Sequence, residues 1–132
     1  MNIVKILLID DSYEFTEPVK ELLEREGYTV DVIANSNEAY DKTENLEDYK
    51  LILLDLMFIV RKIKLGDNPE VGILLYKKIR DKYTKIPIII VSALNRDRFK
   101  KHFEGDDFVK YVSKPLSANI EELKISIKSF LV

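Results

Sequence analysis

Three stretches of the chain are almost wholly aliphatic: Ile3 to Ile9, broken only by Lys5, then Leu51 to Leu54, then Ile86 to Val91. Each is far shorter than the roughly 20 apolar residues that span a bilayer. Each is also too continuous for a strand with one wet face, which alternates apolar and polar residues. Unbroken runs rich in Ile, Val and Leu belong to central strands of a parallel sheet, covered on both faces. Pro87 stands near the start of its run, where a strand tolerates it best. Two weaker stretches with polar interruptions, Tyr28 to Ile33 and Phe108 to Val112, suit positions nearer the sheet edges.

Segments of helical spacing separate these strands. Phe15, Val19, Leu22 and Leu23 share one face, and Gly27 marks a stop. An interior proline costs a helix about 3 kcal/mol, so Pro18 is expected in the first turn, with Thr16 as the N-cap. Ser36 is the expected cap of a second helix through Ala39, Tyr40 and Thr43. Gly72 to Tyr83 forms a third, and Asn95 to Glu104 a fourth. Ile120, Leu123, Ile127 and Phe130 mark a fifth, with Glu121 and Lys124 on its wet side. Strict strand–helix alternation predicts a single doubly wound α/β domain, a (βα)5 unit filling residues 1–132 with helices on both faces.

Ligands in such sheets bind beyond the carboxyl ends of the strands. Asp10 and Asp11 follow the first strand, Asp55 the third, Ser92 the fourth and Lys114 the fifth. Taken singly, each has an ordinary explanation as a cap, a turn residue or a surface charge. Together they bring three carboxylates, a hydroxyl and an ammonium to one sheet edge. Crowded carboxylates repel unless a cation intervenes. Oxygen-only donors suit Mg2+, which takes one or two carboxylates plus a phosphoryl oxygen. A carboxylate can serve as a nucleophile and form an acyl phosphate.

The motifs Ile6-Leu7-Leu8-Ile9-Asp10-Asp11-Ser12, Leu51-Ile52-Leu53-Leu54-Asp55-Leu56-Met57, Ile88-Ile89-Ile90-Val91-Ser92-Ala93 and Tyr111-Val112-Ser113-Lys114-Pro115 resemble those of the response-regulator receiver family. The resemblance covers essentially the whole chain. It implies a five-stranded parallel sheet of flavodoxin-like order 2-1-3-4-5. It also implies that Asp55 accepts phosphate from a sensor histidine kinase or histidine phosphotransfer protein. Asp10, Asp11, Asp55 and the backbone carbonyl of Met57 are then the Mg2+ ligands. Ser92 and Lys114 contact the phosphoryl group, and Ser92 and Tyr111 act as the switch that a downstream protein effector reads. The implied chain is a bacterial, cytoplasmic signalling module with no output domain of its own. It is not an enzyme beyond its own phosphorylation and dephosphorylation.

The segment after Asp55 departs from the family pattern. It lacks the usual proline and, from residue 58 to residue 71, is about nine residues longer than expected, a length often tied to function in compact domains. A lid or partner surface beside Asp55 and a plain solvated insertion both fit it. The balance of 21 basic and 23 acidic residues argues against general nucleic-acid binding, and no secretory leader is expected at the N-terminus. The absence of cysteine excludes disulfides and thiolate metal sites. His102, the sole histidine, is read as a surface residue. Two other functions stay open. One is a receiver-like module that binds partners without phosphorylation. The other is a phosphatase of the haloacid-dehalogenase type, disfavoured because Met57, not an aspartate, stands two residues after Asp55.

Overall fold

The computed structural model describes residues 3–56, 71–93, 96–114 and 116–131. The expected Met57 ligand, the segment 58–70, Asn95 and Pro115 lie outside these residues. The elements are β1 (Lys5–Ile9), α1 (Tyr13–Arg25), β2 (Thr29–Ile33), α2 (Ser36–Lys42), β3 (Tyr49–Leu54), α3 (Val71–Lys82), β4 (Ile88–Ser92), α4 (Arg96–Phe99), β5 (Val109–Ser113) and α5 (Leu116–Leu131). All strand pairs are parallel, in the expected order β2-β1-β3-β4-β5.

The aliphatic runs are continuous because successive side chains enter two different cores. Leu7, Ile9, Ile52, Leu54, Ile88 and Ile90 pack on one face, with Ala39 of α2 and Leu75 and Ile79 of α3. Ile6, Leu8, Leu51, Leu53, Ile89 and Val91 pack on the other, with Val19 and Leu23 of α1 and Leu123 and Ile127 of α5. The period-2 geometry of a strand divides each run between the two faces. The weaker stretches are the edge strands, as expected. Among the described residues no helix is long and apolar enough to cross a membrane.

Helix boundaries required three corrections. Helix α1 begins at Tyr13 after Ser12, whose carbonyl accepts from the Phe15 and Thr16 amides at 3.1 and 2.9 Å, so Thr16 is a buried helical residue and not the cap. Pro18 therefore sits inside the helix. It is exposed, as is Glu14, whose carbonyl it deprives of a donor, so water can supply one. Helix α2 is capped by Asn35, not Ser36: the Asn35 Oδ1 accepts from the Asn37 and Glu38 amides at 2.8 and 3.1 Å. The fourth helix is one α turn that tightens into a 3-10 turn over Lys100–Phe103. Phe99 is buried and Phe103 meets Tyr76 edge-on at 4.9 Å, so packing fixes this segment more than helix propensity does.

Two contacts pin the frame around the sheet. At one end, Arg80 clamps the entry to β5: its Nε lies 2.6 Å from Asp106 Oδ2, and its other nitrogens donate to the carbonyls of Tyr83, Ile86 and Phe108 at 2.7–3.0 Å. At the other, the Gly72 amide donates to the Leu56 carbonyl at 3.2 Å. A Cβ at Gly72 would stand 2.2 Å from the Leu56 Cα, so only glycine allows α3 to pass this close behind Asp55.

Two substitutions test this description by urea denaturation. Gly72→Ala is expected to lower stability by about 2 kcal/mol or more, since the clash is with backbone and the core cannot relax around it. Pro18→Ala is expected to raise stability by about 1–2 kcal/mol by restoring the missing helical hydrogen bond. An unchanged or lowered midpoint would place Pro18 outside the helix interior.

Candidate functional site

Each strand end delivers its polar residue through a backbone bond that extends the ladder. The Asp10 amide donates to the Ile33 carbonyl at 3.1 Å, and the Asp55 amide to the Ile9 carbonyl at 3.0 Å. The Lys114 amide donates to the Ser92 carbonyl at 2.9 Å. Asp10, Asp11 and Asp55 consequently converge, with one carboxylate oxygen from each within 4.8 Å of the others. Asp10 and Asp55 are buried, at 1% and 5% exposure, while Asp11 is half-buried.

Lys114 reaches into this cluster. Its Nζ lies 2.8 Å from Asp10 Oδ2 and 3.7 Å from Asp55 Oδ2. The other Asp10 oxygen accepts from the Ser12 amide at 2.8 Å. Burial pushes the Asp10 carboxyl above its ordinary value, and the Lys114 and Ser12 hydrogen bonds offset that only in part. The Lys114 ammonium thus lies against two buried carboxylates, and a third, that of Asp11, is close by. A donor set of carboxylate oxygens fits a hard divalent cation.

Ser92 is the last residue of β4 and fully buried, paired with Ser113 of β5. Tyr111, paired with Ile90, is half-buried and packs on the α3 side of the sheet. It stands one strand away from the acidic cluster rather than within it. His102 is half-buried near Phe99, with ring centroids 6.5 Å apart. Among the described residues it joins no group of three or more ligand-type side chains.

Two neighbours of the site were not legible as such. Ser12 contributes its amide to Asp10. Phe15, read from the sequence as a core residue, also lies beneath the Lys114 ammonium, 4.2 Å from ring centroid to Nζ. Its place one helical turn beyond Asp11 becomes visible once α1 is started at Tyr13 instead of after Thr16.

Known proteins are similar to this chain in sequence and fold. The sequence model of the response regulator receiver domain matches residues 6–128. Transcriptional regulatory protein CrdR of Helicobacter pylori is 33% identical over 128 residues, 96% of this chain and 54% of the relative. The crystal structure of a two-component response regulator from Clostridium difficile matches with a TM-score of 0.76 and 31% identity, covering 97% of this chain and 95% of that one. Response regulator protein TrrA from Thermotoga maritima, solved in complex with Mg2+-BeF, matches with a TM-score of 0.75 and 29% identity, covering 97% and 99%. The chain spans about half the length of the curated relatives it matches.

The raised Asp10 carboxyl has a stability consequence in metal-free buffer. The folded protein keeps this proton to higher pH than the unfolded chain, whose value is near 3.8. The Asp10 contribution is therefore complete below that value and is lost as pH rises through the folded-state value. Asp10→Asn, which cannot ionise, is expected to gain stability relative to wild type as pH is raised from about 4 to about 7. Urea midpoints across that range, with chelator present, check the trend. A difference that shrinks with rising pH would reverse the sign assigned to burial.

Proposed function

The chain belongs to the response regulator receiver domains, and from that premise we propose that Asp55 is its phosphoacceptor and that phosphorylation switches partner binding. The observation that carries this reading is the meeting of Asp10, Asp11 and Asp55 around Lys114 at the carboxyl edge of the sheet. Receiver domains are signalling modules, and the chemistry proposed for this one is limited to its own phosphorylation and dephosphorylation.

In the proposed reaction an Asp55 oxygen attacks the phosphorus of a phosphohistidine on a sensor kinase or phosphotransfer protein. A P–O bond forms, the P–N bond breaks, and the imidazole nitrogen leaves with the electron pair. Asp10, Asp11, Asp55 and the Met57 carbonyl would hold Mg2+, which supplies charge neutralisation for the transferring group. Lys114 pairs with a phosphoryl oxygen as a mobile point charge. The Ser92 hydroxyl donates to another, and Tyr111, joined to the same β4–β5 ladder, carries the change outward. An acyl phosphate brings about −1.5 to −2 charges where one stood. A complete switch needs about 5.5 kcal/mol of differential stabilisation.

The partners proposed are a histidine kinase or phosphotransfer protein upstream and a protein effector downstream. Relatives named as transcriptional regulators are about twice as long as this chain, and no direct DNA contact is proposed for the receiver itself. The near balance of 21 basic and 23 acidic residues agrees with that.

Incubation with Mg2+ and acetyl phosphate, followed by intact mass, tests the reading. The wild type is expected to gain one phosphate, Asp55→Asn none, and the wild type with chelator none. Failure of the wild type to gain phosphate from small donors and from histidine kinases alike would leave a module that binds its partners without phosphorylation.

A further inference from the structure

Lys114 is held by three groups. Two are the carboxylates of Asp10 and Asp55, at 2.8 and 3.7 Å. The third is apolar: the Phe15 ring, whose centroid lies 4.2 Å from Nζ. Phe15 is itself fixed. It lies in the first turn of α1, with its amide donating to the Ser12 carbonyl at 3.1 Å, and it packs against the core face that contains Ile6, Leu8 and Val19. A ring anchored in this way presents a stationary negative face to a flexible ammonium.

We propose that Phe15 is a positioning residue for Lys114, holding the ammonium over the acidic cluster when a carboxylate gives it up. The inference rests on the reading of Asp55 as phosphoacceptor. In the structure Lys114 is closer to Asp10 than to Asp55. To meet a phosphoryl group on Asp55, Nζ must loosen its hold on Asp10. A lysine side chain freed from its closest partner turns readily to water, because its charge is strongly hydrated and its stem has four rotatable carbons. The attraction to the ring face does not depend on which carboxylate is engaged. It lowers the cost of the exchange and confines the ammonium to a short path between Asp10 and Asp55. An aliphatic residue at position 15 would fill the same space without attracting a cation.

Four measurements separate this role from packing. In metal-free wild type, the Lys114 Cε protons are expected to show an upfield ring-current shift that disappears in Phe15→Leu. In the acetyl phosphate assay, Phe15→Leu is expected to slow phosphate gain about fivefold, about 1 kcal/mol at 1.4 kcal/mol per tenfold, with Phe15→Tyr restoring the rate to within about twofold. Fluorinated phenylalanines at position 15, which keep the ring while draining its face of electron density, should slow it in proportion to their fluorine content. In a Lys114→Met background, where no cation is present, Phe15→Leu should have no added effect. An equal slowing in both backgrounds makes Phe15 a packing residue and overturns the proposal, as does an absent ring-current shift. A wild type that takes up no phosphate defeats the phosphoacceptor reading instead, and the ring-current shift still decides whether Phe15 holds Lys114.

Discussion

The ladder of the parallel sheet runs one step past its strands, and the site depends on that step. Asp10 is fixed by the Ile33 carbonyl, Asp55 by the Ile9 carbonyl, and Lys114 by the Ser92 carbonyl. The strands cannot slide to give other residues these places. Ile6 to Ile9 and Leu51 to Leu54 are buried on both faces, with odd and even positions committed to different cores. A slip of one residue would exchange every side chain between the two faces. The chemistry at the edge is therefore set by packing in the interior, through a register that hydrophobic burial enforces.

Asp106, half-buried, and Asp10, buried, show the difference between a carboxylate that serves the frame and one that serves the site. Asp106 receives Arg80, the Tyr76 hydroxyl and the Phe108 amide, and these hydrogen bonds hold its carboxyl below the ordinary value despite burial. The same contact helps push the Tyr76 hydroxyl up to about 12. Asp10 is more deeply buried and shares its single ammonium with Asp55, so burial wins and its carboxyl is pushed up. A fold selected for stability alone has no reason to gather three carboxylates at one sheet edge. Local instability of this kind is what a bound cation can relieve, since a ligand that binds only the folded state stabilises it by mass action.

The sheet was legible because its signal is long and redundant. Five strand positions, their parallel sense and the residues at their ends all follow from apolar runs that only a two-sided sheet can bury. Helix starts were less legible because several local rules compete within a few residues. Thr16 and Pro18 form a plausible cap and first turn, yet Ser12, Phe15 and Val19 give a start one turn earlier that buries Phe15 and Thr16 usefully. Asn35 and Ser36 are both good caps, and the sequence does not rank them. The fourth helix failed as a ten-residue expectation because the packing of Phe99 and Phe103 fixes one α turn followed by a 3-10 turn. The error at α1 had a cost beyond a boundary: it moved Phe15 out of register with Asp11 and hid its approach to Lys114.

The long insertion after Asp55 poses a separate problem, since added chain next to a reacting group ought to loosen it. The contact between Leu56 and Gly72 resolves this. The Gly72 amide bonds to the Leu56 carbonyl, and the absence of a Cβ lets the two backbones touch, so the chain leaves β3 and enters α3 at nearly the same point. Leu56 and Gly72 are thereby held together whatever the length of chain between them. The entropy of closing a loop grows slowly, about 0.6 kcal/mol for each doubling of length. Nine or so extra residues therefore cost roughly that much, less than the contact at Gly72 contributes if its disruption is worth about 2 kcal/mol. The position of Asp55 is set by the Ile9 carbonyl on one side and by Leu56, buried against Gly72, on the other. The Asp55 carboxylate is then held independently of how many residues separate Leu56 from Gly72.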